Sequence, residues 1–153
     1  MIGNDIVDLL QAAKDSNWQR NGFLDKLFTP EEQFLISSDI QPPMMIWLLW
    51  SMKESAYKIN SRETKLRLFA PVKLVCKNLI IHNSKATGNV LCDDQPYYTQ
   101  SQISADYIHT LAADQEDELD RASVSIMDYH TDYRISNPQS VSHHGRYLAL
   151  AYL

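Results

Sequence analysis

The sequence predicts an α+β fold: an antiparallel sheet with helices packed on one side. Three observations predict it. Strand-like apolar stretches sit at residues 2–10 and 146–153, and one long stretch without Gly or Pro lies at residues 44–60. Short strand patterns then follow one another instead of alternating with helices, which disfavours a parallel sheet.

Residues 2–10 are apolar with a β-branched centre at Ile6 and Val7, and read as a strand or a strand running into a helix. Thr29-Pro30-Glu31-Glu32 marks a helix start. Thr29 caps it, Pro30 suits the first helical position and Glu32 completes a capping box. That helix runs to residue 36, before Ser37-Ser38-Asp39. Pro42-Pro43 opens the longer helix over residues 44–60, rich in Met, Leu, Trp and Lys. Beyond Arg62 the pattern turns to strands at residues 72–76, 79–82 and 89–92, with Gly88 near a turn. Residues 105–113 fit either a strand or a helix, and the acidic block 114–120 a loop or helix end. Residues 122–130 alternate like a strand, and 146–153 do so strongly. With no repeat and no low-complexity linker, one domain over residues 1–153 is expected.

Composition narrows the function classes. A hydrophobic fraction of 44% and a charged fraction of 22% are those of an ordinary globular chain. The most apolar run, residues 44–50, is far short of the roughly 20 residues that cross a bilayer. Asp5 and Asp8 interrupt the opening apolar residues, so a signal peptide is not expected. Cys76 and Cys92 have no metal-binding or disulfide spacing and read as free thiols. A cytoplasmic protein is expected. The net charge of −5 argues against nucleic-acid binding. Residues 51–85, however, hold eight Lys or Arg against Glu54 and Glu63, a net of +6. A basic segment in an acidic chain suggests a local anion site, although a solvated basic face has the same composition.

Glu54 and Lys58 stand four apart on the long helix and share a face with Trp47, Trp50 and Ser51. Alone, the pair would be a surface ion pair worth a few tenths of a kcal/mol. Two tryptophans on its approach imply partial burial, where a charge needs a partner or a metal. Asp5 is a poor strand former inside a strand-like run and needs its own reason. A strand-end carboxylate plus a helical one suits Mg²⁺, which completes its octahedron with waters and substrate phosphates. Asp8 fits a helix N-cap better. Ser142 and His143 precede Gly145 in a turn before the last strand; they read as a hairpin or as donors to a phosphate or nucleotide.

These motifs, taken in order, resemble the 4'-phosphopantetheinyl transferase superfamily. Gly3-Asn4-Asp5-Ile6-Val7-Asp8 comes first, then Phe28-Thr29 with Glu32, then Trp50-Ser51-Met52-Lys53-Glu54 with Lys58, and last Ser140-Val141-Ser142-His143. The chain has one such module, as in the small holo-acyl-carrier-protein synthases. The resemblance implies transfer of 4'-phosphopantetheine from coenzyme A to a serine of an apo acyl or peptidyl carrier protein, with release of 3',5'-ADP. It implies that Asp5 and Glu54 hold Mg²⁺ and that Glu54, or Lys58 with a water, takes the serine proton. Lys58 is favoured as a phosphate contact. Ser142 and His143 would meet the nucleotide, Arg62 or Lys65 the 3'-phosphate, and Lys14, Arg20 and Lys26 an acidic carrier. The small synthases also imply a trimer.

Two readings compete. A non-catalytic module binding the carrier and coenzyme A would keep the fold and lose turnover. Its support is residues 59–62, which lack the glycines many members carry there. An unrelated metal-dependent phosphoesterase would need an activated water instead.

Overall fold

Main-chain pairing sorts the strands into two antiparallel sheets. The computed structural model describes residues 1–153. Strands β1 (Ile2–Asp8), β2 (Leu74–His82), β3 (Lys85–Cys92), β4 (Gln95–Ile103) and β5 (Tyr107–Ala113) form the main sheet in the order β1-β5-β4-β3-β2. Strands β6 (Ser123–Asp128), β7 (Ser140–His144) and β8 (Tyr147–Tyr152) form the smaller one, in the order β6-β8-β7. Helices α1 (Leu9–Asp15), α2 (Phe23–Leu27), α3 (Pro30–Ser38) and α4 (Pro42–Thr64) separate β1 from β2. A short helix α5 (Glu116–Arg121) joins the sheets. The fold is α+β as expected, with α4 lying across one face of the main sheet against β1 and β5.

The opening stretch is a strand that passes directly into a helix. Asp8 makes the switch, because its carboxylate accepts the N–H groups of Leu10 and Gln11. At α3 the capping box forms as expected: Thr29 Oγ1 accepts the Glu32 N–H, and Glu32 Oε1 accepts the Thr29 N–H. Pro42 and Pro43 start α4, which continues past residue 60 to Thr64 before Lys65 turns left-handed at φ 62°. Its buried side packs Met45, Ile46, Leu48, Leu49, Met52, Ala56 and Ile59 against the sheet.

The strand region differs from expectation in several places, among them β3, which starts at Lys85 and so holds Gly88 within the ladder and not at a turn. Residues 74–82 are one strand with a bulge between Lys77 and Ile80, where Asn78 takes φ 54°. Of the stretch 105–113, left open between strand and helix, residues 107–113 form β5, buried on both faces over Ile108–Ala113. Between them lies β4, which the sequence hid. Its inward residues include Thr99 and Ser101, so apolar and polar positions do not alternate. Asp93 and Asp94, at φ 47° and 66°, make the two-residue turn that pairs β4 with β3.

A buried ion pair locks α3, α4 and β2 together. Lys53, fully buried, donates to Glu32 Oε1 at 2.7 Å and to the carbonyls of Leu27 and Pro71. Glu32 Oε2 accepts the Cys76 N–H. All three ammonium hydrogens and both carboxylate oxygens therefore have partners, which such burial requires.

Candidate active site

The site forms where β1 meets α4. A Cβ on Gly3 would come within 2.2 Å of the Ser55 carbonyl oxygen, so only glycine lets the strand lie this close to the helix. Ser51 and Ser55 face the strand side of α4 and are fully buried. Ser55 Oγ bonds the Ser51 and Thr110 carbonyls, and Ser51 Oγ reaches the Asp5 carbonyl. These small residues bring Asp5 on β1 beside Glu54 and Lys58 on α4.

The other edge of β1 is held by β7 in an unusual way. The N–H groups of Asn4, Ile6 and Asp8 donate to Ser140 Oγ, Ser142 Oγ and His144 Nδ1. Side chains thus replace the carbonyls that a neighbouring strand would offer. His144 must carry its proton on Nε2 to accept there. Two bases on α4 bridge the same seam. Lys58 Nζ donates to the Asn4 and Val141 carbonyls, and Arg62 to those of Ile2, Gln139 and Lys58.

Together these elements enclose an open cleft of about 540 Å³ lined by Asp5, Trp47, Trp50, Glu54, Lys58, Ser142, His143 and His144 among others. Asp5 Oδ1 accepts the Ser142 hydroxyl at 3.0 Å and lies 3.7 Å from Lys58 Nζ. Its Oδ2 is buried with no partner. Burial raises the Asp5 carboxyl above its ordinary range, against the pull of Lys58 and Ser142. Glu54 is pushed up to about 7 by burial and then by the Asp5 charge, with Lys58 opposing. Two buried carboxyls that are costly to charge, Glu54 partly because of the Asp5 charge, with one Asp5 oxygen orphaned, fit a divalent cation. No third His, Cys, Asp or Glu joins them, so such a cation would take its remaining ligands from water and substrate oxygens.

Five of the expected residues come together here: Asp5, Glu54, Lys58, Ser142 and His143. Their partners differ from expectation. Lys58 forms its ion contact with Asp5 instead of Glu54. Ser142 is engaged with β1 and Asp5, while exposed His143 stacks edge-on to Tyr129 at 5.2 Å. Arg62 does not line the cleft; its guanidinium is held by backbone carbonyls. Lys14 on α1, Arg20 in the following turn and Lys26 on α2 are exposed and lie outside the cleft. Asp8 binds Arg146 through both carboxylate oxygens, which holds its carboxyl well below the usual range. That contact and the N-cap take Asp8 out of any metal set.

Sequence reasoning gave no role to Ser140, quoted only as part of a motif, or to His144. The two-residue spacing of Ser140, Ser142 and His144 was the available signal, since one face of a strand repeats every second residue.

Residues 1–112 match the 4'-phosphopantetheinyl transferase superfamily. The match includes β1, all of α4 and most of the main sheet. The chain belongs to that superfamily, and membership supports phosphopantetheinyl transfer in general. The β7 residues of the cleft lie beyond the matched span. No curated protein matches the chain.

Proposed function

We propose that this chain moves 4'-phosphopantetheine from coenzyme A to a serine hydroxyl of an apo acyl or peptidyl carrier protein. The observation that carries the reading is the orphaned, buried Asp5 Oδ2 in the cleft that Glu54 also lines. Asp5 and Glu54 would hold Mg²⁺. When bound, the ion neutralises charge on the pyrophosphate and its leaving group.

The chain's own residues do the rest. Lys58, already fixed over the β1–β7 seam, directs its ammonium toward phosphate oxygen from a position beside Asp5. The serine oxygen bonds to the β-phosphorus while the bond to the oxygen bridging toward the α-phosphate breaks. The serine proton passes to Glu54, or to a water held by Lys58. Ser142 orients Asp5 through its hydroxyl, and His143 offers its ring to the nucleotide from the rim. Lys14, Arg20 and Lys26 stand as the basic contacts for an acidic carrier. A cytoplasmic location goes with this reading. Asp5, Glu54, Lys58, Ser142 and His143 line the cleft within a single chain.

One observation favours the non-catalytic alternative. Residues 59–64 continue α4 as helix, where a glycine-bearing phosphate loop would otherwise stand. Intact-mass measurement of apo carriers incubated with the protein, coenzyme A and Mg²⁺ separates the two. Transfer adds one phosphopantetheine to a carrier and stops on chelation or in Asp5→Ala and Glu54→Ala variants that remain folded. Coenzyme A binding with no mass gain on any carrier would leave the binding module.

A further inference from the structure

The face of the main sheet turned away from α4 holds a second cavity, of about 380 Å³. Ile108 and Ala112 on β5 join the core under α4, so alternation turns His109 and Leu111 to the opposite face. There β4 and β5 make the floor, and β6 with α5 makes a wall. The cavity shares no lining residue with the cleft.

Floor and wall differ in chemistry. Lys85, Gln102 and His109 are direct neighbours in one row across β3, β4 and β5. The wall is apolar, with Leu119, Val124 and Ile126, and Leu111 extends it onto the floor. Lys53, Lys58 and Lys77 each have a carboxylate partner, whereas Lys85 has none. No Asp or Glu lines the cavity, in a chain whose net charge is −5. The lining therefore favours an anion.

His109 adds a directed donor. It is only 5% exposed, and its tautomer follows from its neighbours. Ser140 donates to Asn4 Oδ1, and Asn4 Nδ2 donates to the Ala149 carbonyl, which fixes the orientation of the amide. The other Asn4 amide hydrogen meets His109 Nε2, which must accept it, so Nδ1 carries the ring proton. That N–H belongs to a ring lining the cavity and finds no acceptor in the chain. A buried donor without a partner is costly, and a bound acceptor removes the cost.

We propose that this cavity binds the anion of a medium-chain aliphatic carboxylic acid. One carboxylate oxygen takes the His109 Nδ1–H, and the head faces the Lys85 ammonium across Gln102. The alkyl chain lies against Leu111, Leu119, Val124 and Ile126. One cation and one buried donor match a monoanion with two oxygens, and would leave a phosphate dianion half compensated. The volume lies near the lower end for ligand pockets, which suits a chain of medium length.

Calorimetric titration of the full chain with acetate, butyrate, hexanoate, octanoate, 1-hexanol and inorganic phosphate tests the assignment. Affinity should rise about two- to fourfold with each added methylene of the acid. Replacing hexanoate by hexanol should weaken binding about tenfold, because the charge-assisted bonds are lost. Lys85→Glu should lower octanoate affinity by a similar factor, about tenfold, and Val124→Asp should remove the gain with chain length. Both side chains are exposed, so the urea midpoints of these variants should stay near that of the wild-type protein. In long-range proton–nitrogen spectra, octanoate should shift the protonated Nδ1 resonance of His109 most among the five histidines. Hexanol binding as tightly as hexanoate overturns the proposal. So does octanoate binding that survives both variants or leaves the His109 resonance in place. Acetate or phosphate binding as tightly as octanoate would make the cavity a plain anion hole and overturn it too.

Discussion

Asp5 owes its place to a residue with no side chain. Gly3 allows β1 to approach the Ser55 carbonyl so closely that a single methyl group would collide with main chain, which cannot swing away. Gly3→Ala should therefore cost about 1–3 kcal/mol in stability, as overpacking does, and separate Asp5 from Glu54. Chemical denaturation measures the first effect and, on the proposed reading, loss of Mg²⁺ affinity in the folded variant measures the second. Lys53 sits beside Glu54 in sequence and does unrelated work. Truncating it to Ala leaves the Glu32 carboxylate buried without its cation and should destabilise by about 3–5 kcal/mol, whereas Lys53→Ala has no direct contact with the cleft to lose. Asp5, Glu54 and Lys58 were legible in the sequence because helical spacing and an out-of-place aspartate are local facts. Arg62 was not, because its acceptors are carbonyls that only tertiary pairing brings into reach.

Among the elements, α3 and α4 were legible from their caps and prolines, and β1, β6 and β8 from their residue patterns. The capping box at Thr29 was readable because both of its hydrogen bonds lie within four residues. Strand β4 stayed hidden for the opposite reason. Its buried Thr99 Oγ1 bonds the Gly88 carbonyl and its Ser101 Oγ bonds Thr110 Oγ1, so polar side chains are satisfied across the sheet by β3 and β5 and not within the strand itself. Strand β5 was ambiguous because it is buried on both faces, His109 and Thr110 included, so no alternation of apolar and polar residues marks its period. Helix α4 outran its expected end at residue 60 because Lys58 and Arg62 are both anchored to β1 and the β7 end, which holds the final turns in place.

For the molecule as a whole, the buried polar seam sets how stability responds to acid. His109 lies on β5 beneath Asn4, whose Nδ2 donates to His109 Nε2 at 3.3 Å and to the Ala149 carbonyl. Burial, with a smaller contribution from the Lys58 charge, lowers the imidazole from 6.5 to about 4. A proton on Nε2 would point at the Asn4 amide hydrogens, so the folded state resists charging. Between pH 6.5 and about 4 the unfolded chain binds a proton at His109 that the folded chain refuses, so this group's contribution to stability falls as pH is lowered through that window. Glu54, raised to about 7, works in the opposite direction between pH 7 and its ordinary value, because there the folded chain takes up a proton that the unfolded chain does not. The His109 contribution should amount to a few kcal/mol, read as the change with pH in the difference between the urea midpoints of the wild-type protein and His109→Gln.

The seam between β1 and β7 also gives one strand two kinds of bond along its two edges. The amides of Asn4, Ile6 and Asp8 turn to side chains of β7, while the alternation of antiparallel pairing turns those of Gly3, Asp5 and Val7 to β5. Swinging β7 away would free the first set and leave the second in place. In deuterated solvent, partial opening of the smaller sheet would then label every other residue of β1, and a ligand that spans the seam would erase the alternation.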